Sequence, residues 1–314
     1  MMAFASLLKR EWLEHKAGFL WGPLILLILL LLFGLTVVAA GDNLQVNVNQ
    51  VESGANPGDT HTSRAEVSGL QAAAALLFNI SDASDTELAY KLNQFMGTLA
   101  LPFYWVLLAV TLFALVASLY DERKDHSVLF WKSMPVSDLT TVLGKLVFFT
   151  WLAPLLTLVA ILAAELLVLT LGLWIVPDAS GARLWAQSGV WQAPWQLLLG
   201  FVLHGFWILP IYAWLLMLSA VLPRAPLLWG IGGPWIVIVL ERIFMNSDHV
   251  YSWIALHMSP LSLPYVSSNP LVYDLVGQFK PLAVLSLPTF WSGLIVAGVL
   301  LAAAVYLRGR TSEI

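Results

Sequence analysis

"FLWGPLILLILLLLFGLTVVAA" (Phe19–Ala40) runs for 22 residues without a charged side chain. As a helix it would reach about 33 Å, which matches the hydrocarbon thickness of a bilayer. It is too long for the apolar core of a cleavable signal, which spans roughly 7–15 residues. The stretch therefore reads as a retained first crossing. That reading fixes the solvent for the rest of the chain. In lipid, backbone polar groups must be satisfied internally, so each further apolar run reads as a helix.

Five such runs follow, at 99–119, 146–171, 197–222, 225–245 and 287–307. They predict an all-α membrane protein with six transmembrane helices in a single domain over residues 1–314. Composition agrees: of 314 residues, 59% are hydrophobic and 11% charged, against about 25% charged in soluble domains. Mean hydropathy is +0.81. The chain has no cysteine, which excludes disulfides, thiolate metal sites and cysteine nucleophiles. Trp21, Trp151, Trp174, Trp195 and Trp291 fall at predicted span ends, where an aromatic belt is expected.

Lys and Arg set the orientation. With both termini inside, the inner segments hold Lys9, Arg10, Lys16, Arg123, Lys124, Lys132, Lys145, Arg224, Arg308 and Arg310. The longer outer segments hold only Arg64, Lys91, Arg183, Arg242 and Lys280. This bias predicts an N-in, C-in arrangement. Residues 1–18, "FASLLKREWLEHK" at their centre, read as an amphipathic interfacial helix led by Phe4, Leu7, Leu8 and Trp12. Residues 41–98 form a long outer loop. The outer segment 246–286 is cut by Pro260, Pro264, Pro270 and Pro281, so its apolar pieces suit short interfacial or re-entrant helices. The uncharged run of span five, Ala225–Leu240, is short and carries Gly230, Gly232, Gly233 and Pro234, which predicts close helix approach or flexibility.

The polar exception is "YDERKDHSVLFWKSMPVSDLTTVLGKL" (Tyr120–Leu146). Pro135 should stop a helix that begins near Asp121, and Ser137 should cap the next one with Asp138 in its first turn. A bare inner hairpin needs few residues, as Pro223–Arg224 illustrates. Segment 120–145 instead combines both signs of charge with Val128, Phe130, Trp131 and Met134. Apolar anchors inside a charged rim suit a docking surface for a cytoplasmic partner.

This stretch resembles the loop between spans two and three in permeases of the type-2 ABC exporter family. The likeness rests on Glu122-Arg123, Pro135-Val136-Ser137 and Gly144-Lys145. Asp125-His126-Ser127 departs from the Gly/Ser-Thr usual after the charged pair. The resemblance implies a coupling helix gripped by a separate ATP-hydrolysing subunit. Contacts would fall on Glu122, Arg123, Lys124, Asp125, Val128, Phe130, Trp131 and Met134. It also implies a second permease copy or paralogue. ATP and magnesium would sit on the partner, because this chain has no G-x-x-x-x-G-K-[ST] loop.

Glu165 and His204 are ionisable residues inside the apolar runs of spans three and four, candidates for a translocation path or for proton coupling in a secondary transporter. A wetted outer position for Glu165 and a hydrogen-bonded buried one for His204 are the plainer alternatives. Asp248, His249 and His257 lack metal-ligand spacing, so no metal is expected. No H-E-x-x-H or G-x-S-x-G motif supports a hydrolase, although a non-transport membrane enzyme or scaffold stays open. The few basic residues lie at membrane edges, so no nucleic-acid partner is expected.

Overall fold

The computed structural model describes residues 2–41, 45–53, 60–68, 84–127, 136–175, 179–188, 194–259 and 281–310. Among them, six helices are long and apolar enough to cross a membrane. α1 (Met2–Gly41) leads into a hairpin of β1 (Gln45–Ser53) and β2 (Thr60–Ser68), followed by α2 (Asp85–Lys124). The third crossing joins α3 (Asp138–Val147), a π-helical turn (Phe148–Leu152) and α4 (Ala153–Ile175). α5 (Ala179–Gln187) is short, and α6 (Pro194–Val221) is the fourth crossing. α7 (Pro226–Met245), α8 (His249–Met258), a 3₁₀ turn (Pro281–Ser286) and α9 (Pro288–Arg310) complete the order.

Two expectations need correction. The described residues are not all helical: within the outer loop 41–98, β1 and β2 pair antiparallel from Gln45 with Ser68 to Ser53 with Thr60. The period-2 pattern of "QVNVNQV" permits this, and outside hydrocarbon a sheet edge can bond to water. Nor is there a separate entry helix, because residues 2–41 form one helix with Pro23 inside it. Its first turns pack on protein: Leu7 is buried, and Leu8 and Trp12 lie against the main core.

Helix starts follow the capping rules. Ser84 Oγ accepts from the Glu87 N–H at 3.3 Å, with Asp85 and Glu87 in the first turn of α2. Ser137 Oγ accepts from the Thr140 N–H at 3.1 Å, with Asp138 beginning α3 as expected. α2 itself ends at Lys124, and His126 takes a positive φ of 59°. The chain therefore turns immediately after the charged pair.

α6 is the central helix, burying Ile208, Tyr212, Ala213 and Leu216 against α2, α3 and α9. α1 and α7 are the most peripheral crossings. Two internal prolines explain local geometry. Pro154 would clash with the Thr150 carbonyl in a regular helix. The π turn just before it relieves that clash, and the Ala153 N–H bonds to the Phe148 carbonyl. Pro234 in α7 removes the N–H that would satisfy the Gly230 carbonyl. Trp214 Nε1 on α6 donates to that carbonyl instead, at 3.2 Å. Gly230 permits the approach: an added Cβ would stand 3.0 Å from Leu215 Cδ2.

Candidate functional site

The helix ends around residues 120–125 converge on a buried ionic network. Glu122 is 3% exposed. Its Oε2 accepts from Arg308 Nη1 of α9 at 2.9 Å. Its Oε1 lies 3.1 Å from Lys145 Nζ of α3 and 3.1 Å from Arg10 Nη1 of α1. Lys145, 1% exposed, also donates to Glu11 Oε1 of α1 at 2.7 Å. Arg308 Nε donates to Asp138 Oδ1 at 2.9 Å, and Arg10 Nε to Glu14 Oε1 at 2.7 Å. One carboxylate thus ties α2 to α1, α3 and α9.

Arg123 adds the fourth crossing. Its Nη2 donates to the carbonyls of Ser219 and Leu222 at 2.8 Å each, where α6 ends. The Ser219 hydroxyl accepts from the Leu119 and Tyr120 N–H groups at 2.9 Å. Buried charges persist only when paired and hydrogen-bonded, and here the partners come from residues 10 to 308. Beyond this knot, Lys124 and Asp125 are exposed. The Ser127 N–H, at 3.0 Å, holds the Asp125 carboxyl below its usual range.

The residues expected to touch a partner therefore divide. Glu122 and Arg123 are buried and held by groups of this same chain. Lys124 and Asp125 face outward. Val128, Phe130, Trp131 and Met134 lie outside the described residues. Glu11 belongs to the entry segment read as an amphipathic interfacial helix. In the structure it is 1% exposed and bonded to Lys145. Roles for Glu11, Arg308 and Ser219 had no local signal, because their partners lie roughly 100 to 190 residues away.

Compared with known proteins, the chain matches no family model, no curated protein and no solved structure. Function must be argued from geometry.

Other candidates are dispersed. Glu165 is half-buried on α4, beside the Ala160–Ala164 contact with Phe103. His204 of α6 stands edge-on to Tyr104, 5.5 Å between ring centres. Asp248 pairs with Arg242 at 2.9 Å and His249 is exposed, while His257 is fully buried. These three do not converge on one point. Glu11, Glu14 and His15 are close enough to share an ion, but Lys145 and Arg10 already neutralise the two carboxylates.

α8 is fastened to the bundle at both ends. Glu241 of α7 accepts from the His249 and Val250 N–H groups at 2.9 Å, supplying the anionic cap of α8. At the far end, Tyr104 Oη donates to the Met258 carbonyl at 2.7 Å and Trp207 Nε1 to the Leu256 carbonyl at 2.9 Å. His257 lies between the Trp207 and Trp253 rings, with Nδ1 2.8 Å from the Trp253 carbonyl. Burial holds the His257 pKa below the ordinary 6.5. A histidine with a depressed folded pKa gives full stability above its free value and loses it as pH falls through that value. Protection factors of residues 249–258, taken relative to the intrinsic exchange rate at each pH, should therefore fall between pH 7 and 5, and equal protection at both values would refute the claim.

An apolar groove of about 910 Å³ separates α7 from the rest of the bundle. α7 touches the bundle at Gly230 and again, through Glu241, at α8. Between these points Trp105 of α2, Trp214 of α6 and Val296 of α9 face Ile238 and Trp235 of α7.

Proposed function

We propose that this chain is the membrane-spanning permease of an exporter driven by a separate ATP-hydrolysing subunit. The two partners would meet at the segment around residues 120–137, on the cytoplasmic side of a bacterial-type inner membrane. The observation that carries the reading is the knot at Glu122 and Arg123. Two adjacent side chains grip α1, α3, α6 and α9 at once. Force applied to the exposed turn at Lys124–Asp125 would reach all four helix ends without passing through a soft loop. A simple connection between two crossings needs no such fastening. The crossing that the knot does not grip, α7, is the one that stands away from the bundle.

In this reading Glu122 and Arg123 transmit movement, and the contact itself falls on Lys124, Asp125, Phe130 and Trp131. ATP and magnesium belong to the partner, and a second permease copy completes the pathway. The test is co-purification with the ATPase from native membranes. Phe130→Ala with Trp131→Ala should abolish most ATPase association while leaving membrane insertion unchanged. Retained association together with undiminished transport-linked ATP hydrolysis would overturn the assignment.

A further inference from the structure

We infer that the Arg123 guanidinium, with Arg224 beside it, binds the phosphate of an anionic phospholipid where α2, α6 and α7 meet at the membrane edge. Charge, place and the neighbouring surface each point there.

Charge comes first. Arg10, Lys145 and Arg308 each meet a carboxylate at 2.7 to 3.1 Å. Arg123 is buried to the same degree as Lys145 and Arg308, yet it pairs with no carboxylate among the described residues. Its two hydrogen bonds both leave Nη2 and go to carbonyls. Its Nε is buried without a partner. Asp121 and Asp125, two positions to either side, lie off its face, and Asp125 is turned to the Ser127 N–H. The C-terminal end of α6 supplies roughly half an elementary charge of opposite sign. The rest of the cation is unmatched, and a buried charge persists only when it is paired.

Place follows from the contact at Gly230 of α7. An added Cβ there would stand 3.0 Å from Leu215 of α6 and 3.8 Å from Val116 of α2. Continuing toward the helix ends, α2 covers about 10 Å from Val116 to Arg123. α6 covers the same distance from Leu215 to Leu222, and Arg123 holds the Leu222 carbonyl. α7 runs the other way, and its start leads back to Arg224, exposed in the turn that joins it to α6. Two crossings end and one begins at this corner, the level at which hydrocarbon gives way to lipid phosphate.

The neighbouring surface selects the anion. Leu228 and Trp229, just past Arg224 in the first turn of α7, are 68% and 51% exposed. Tyr120, one turn before Arg123, is half-buried. Tyrosine and tryptophan favour the headgroup level. Cations beside an exposed apolar wall suit a ligand with an anionic head and an oily body, whereas a free phosphate or a partner's carboxylate gains nothing from the wall. The arginine fork matches phosphate through parallel N–H bonds, and Nε is the donor still open for one of them. Occupancy requires no ATPase, so the inference stands apart from the transport proposal.

The test uses the full chain alone in neutral detergent. Native mass spectrometry follows bound lipid as phosphatidylglycerol is added, with phosphatidylcholine and inorganic phosphate as separate arms. Phosphatidylglycerol should bind about tenfold more tightly than phosphatidylcholine, whose own cation competes for its phosphate. Arg123→Gln should weaken phosphatidylglycerol about tenfold and Arg224→Gln about fivefold. Lys9→Gln, which removes an exposed cation elsewhere, should leave binding nearly unchanged. Arg224 is exposed, so its variant decides the matter even where Arg123→Gln unfolds. Equal binding of the two lipids, unchanged binding in Arg224→Gln, or an equal loss in Lys9→Gln would overturn the inference. Inorganic phosphate bound as tightly as the lipid would overturn it in favour of a soluble anion. Arg224→Gln that loses ATPase association but keeps phosphatidylglycerol would overturn it in favour of an acidic group on a protein partner.

Discussion

Lys145→Met should destabilise the protein by about 3–5 kcal/mol, the usual consequence of removing one partner of a buried ion pair. Glu11 explains the size. It is 1% exposed, and Lys145 is its one hydrogen-bonded cation at 2.7 Å. His15, 3.8 Å away, provides weak compensation. Glu122 is less exposed to the loss, because Arg308 and Arg10 remain. The double variant Lys145→Met with Glu11→Gln removes the orphaned charge and should recover much of the deficit. A strongly non-additive cycle follows, since groups sharing one network couple by roughly 0.5–3 kcal/mol. Thermal unfolding in detergent measures it. A single variant as stable as the wild type, or a double variant that simply adds, would show that the network carries little of the fold.

The second large effect belongs to Gly205. A Cβ added there would collide with the Trp151 indole nitrogen, and would stand 2.6 Å from Trp151 Cε2 and 2.9 Å from Thr150 Cγ2. Trp151 cannot simply swing away: its Nε1 donates to the Val202 carbonyl at 3.2 Å, and its ring meets Phe206. Both obstructing residues sit in the π turn that Pro154 induces. Overpacking in a tight contact costs about 1–3 kcal/mol, more than the roughly 1 kcal/mol a helix gains from losing glycine. Gly205→Leu should therefore lower thermal stability clearly, and Gly205→Ala should do so to a smaller degree. Leucine at this position with unchanged stability would mean that α6 and the π turn slide apart freely.

The crossings were legible because each is an apolar run that only a helix can carry through lipid. The Ser137 cap was legible because serine acts on its immediate neighbours, whereas the helix end at Lys124 falls well before the stop expected at Pro135. Glu122 and Arg123 were expected at a partner contact because the resemblance places them there. Their burial depends on Arg10, Lys145, Arg308 and the end of α6 arriving together, and no local pattern encodes that meeting. The hairpin was missed for a different reason. Its alternation at Val46 and Val48 is present but short, and Asn, Gln and Gly around it read first as loop. Gly230 and Pro234 were visible as irregular, whereas the service Trp214 performs for the freed carbonyl required the neighbouring helix.

The ionic knot also has a consequence in time. Its members enter the membrane in the order of synthesis, from Arg10 and Glu11 to Arg308. During biogenesis Glu11 has no cation at its side until Lys145 emerges, and Glu122 waits longer still for Arg308. α9 thus acts as a clasp that closes after the four other gripped helices are made. Until Arg308 arrives, Glu122 rests on Arg10 and Lys145 alone, and Asp138 gains its cation only when α9 packs.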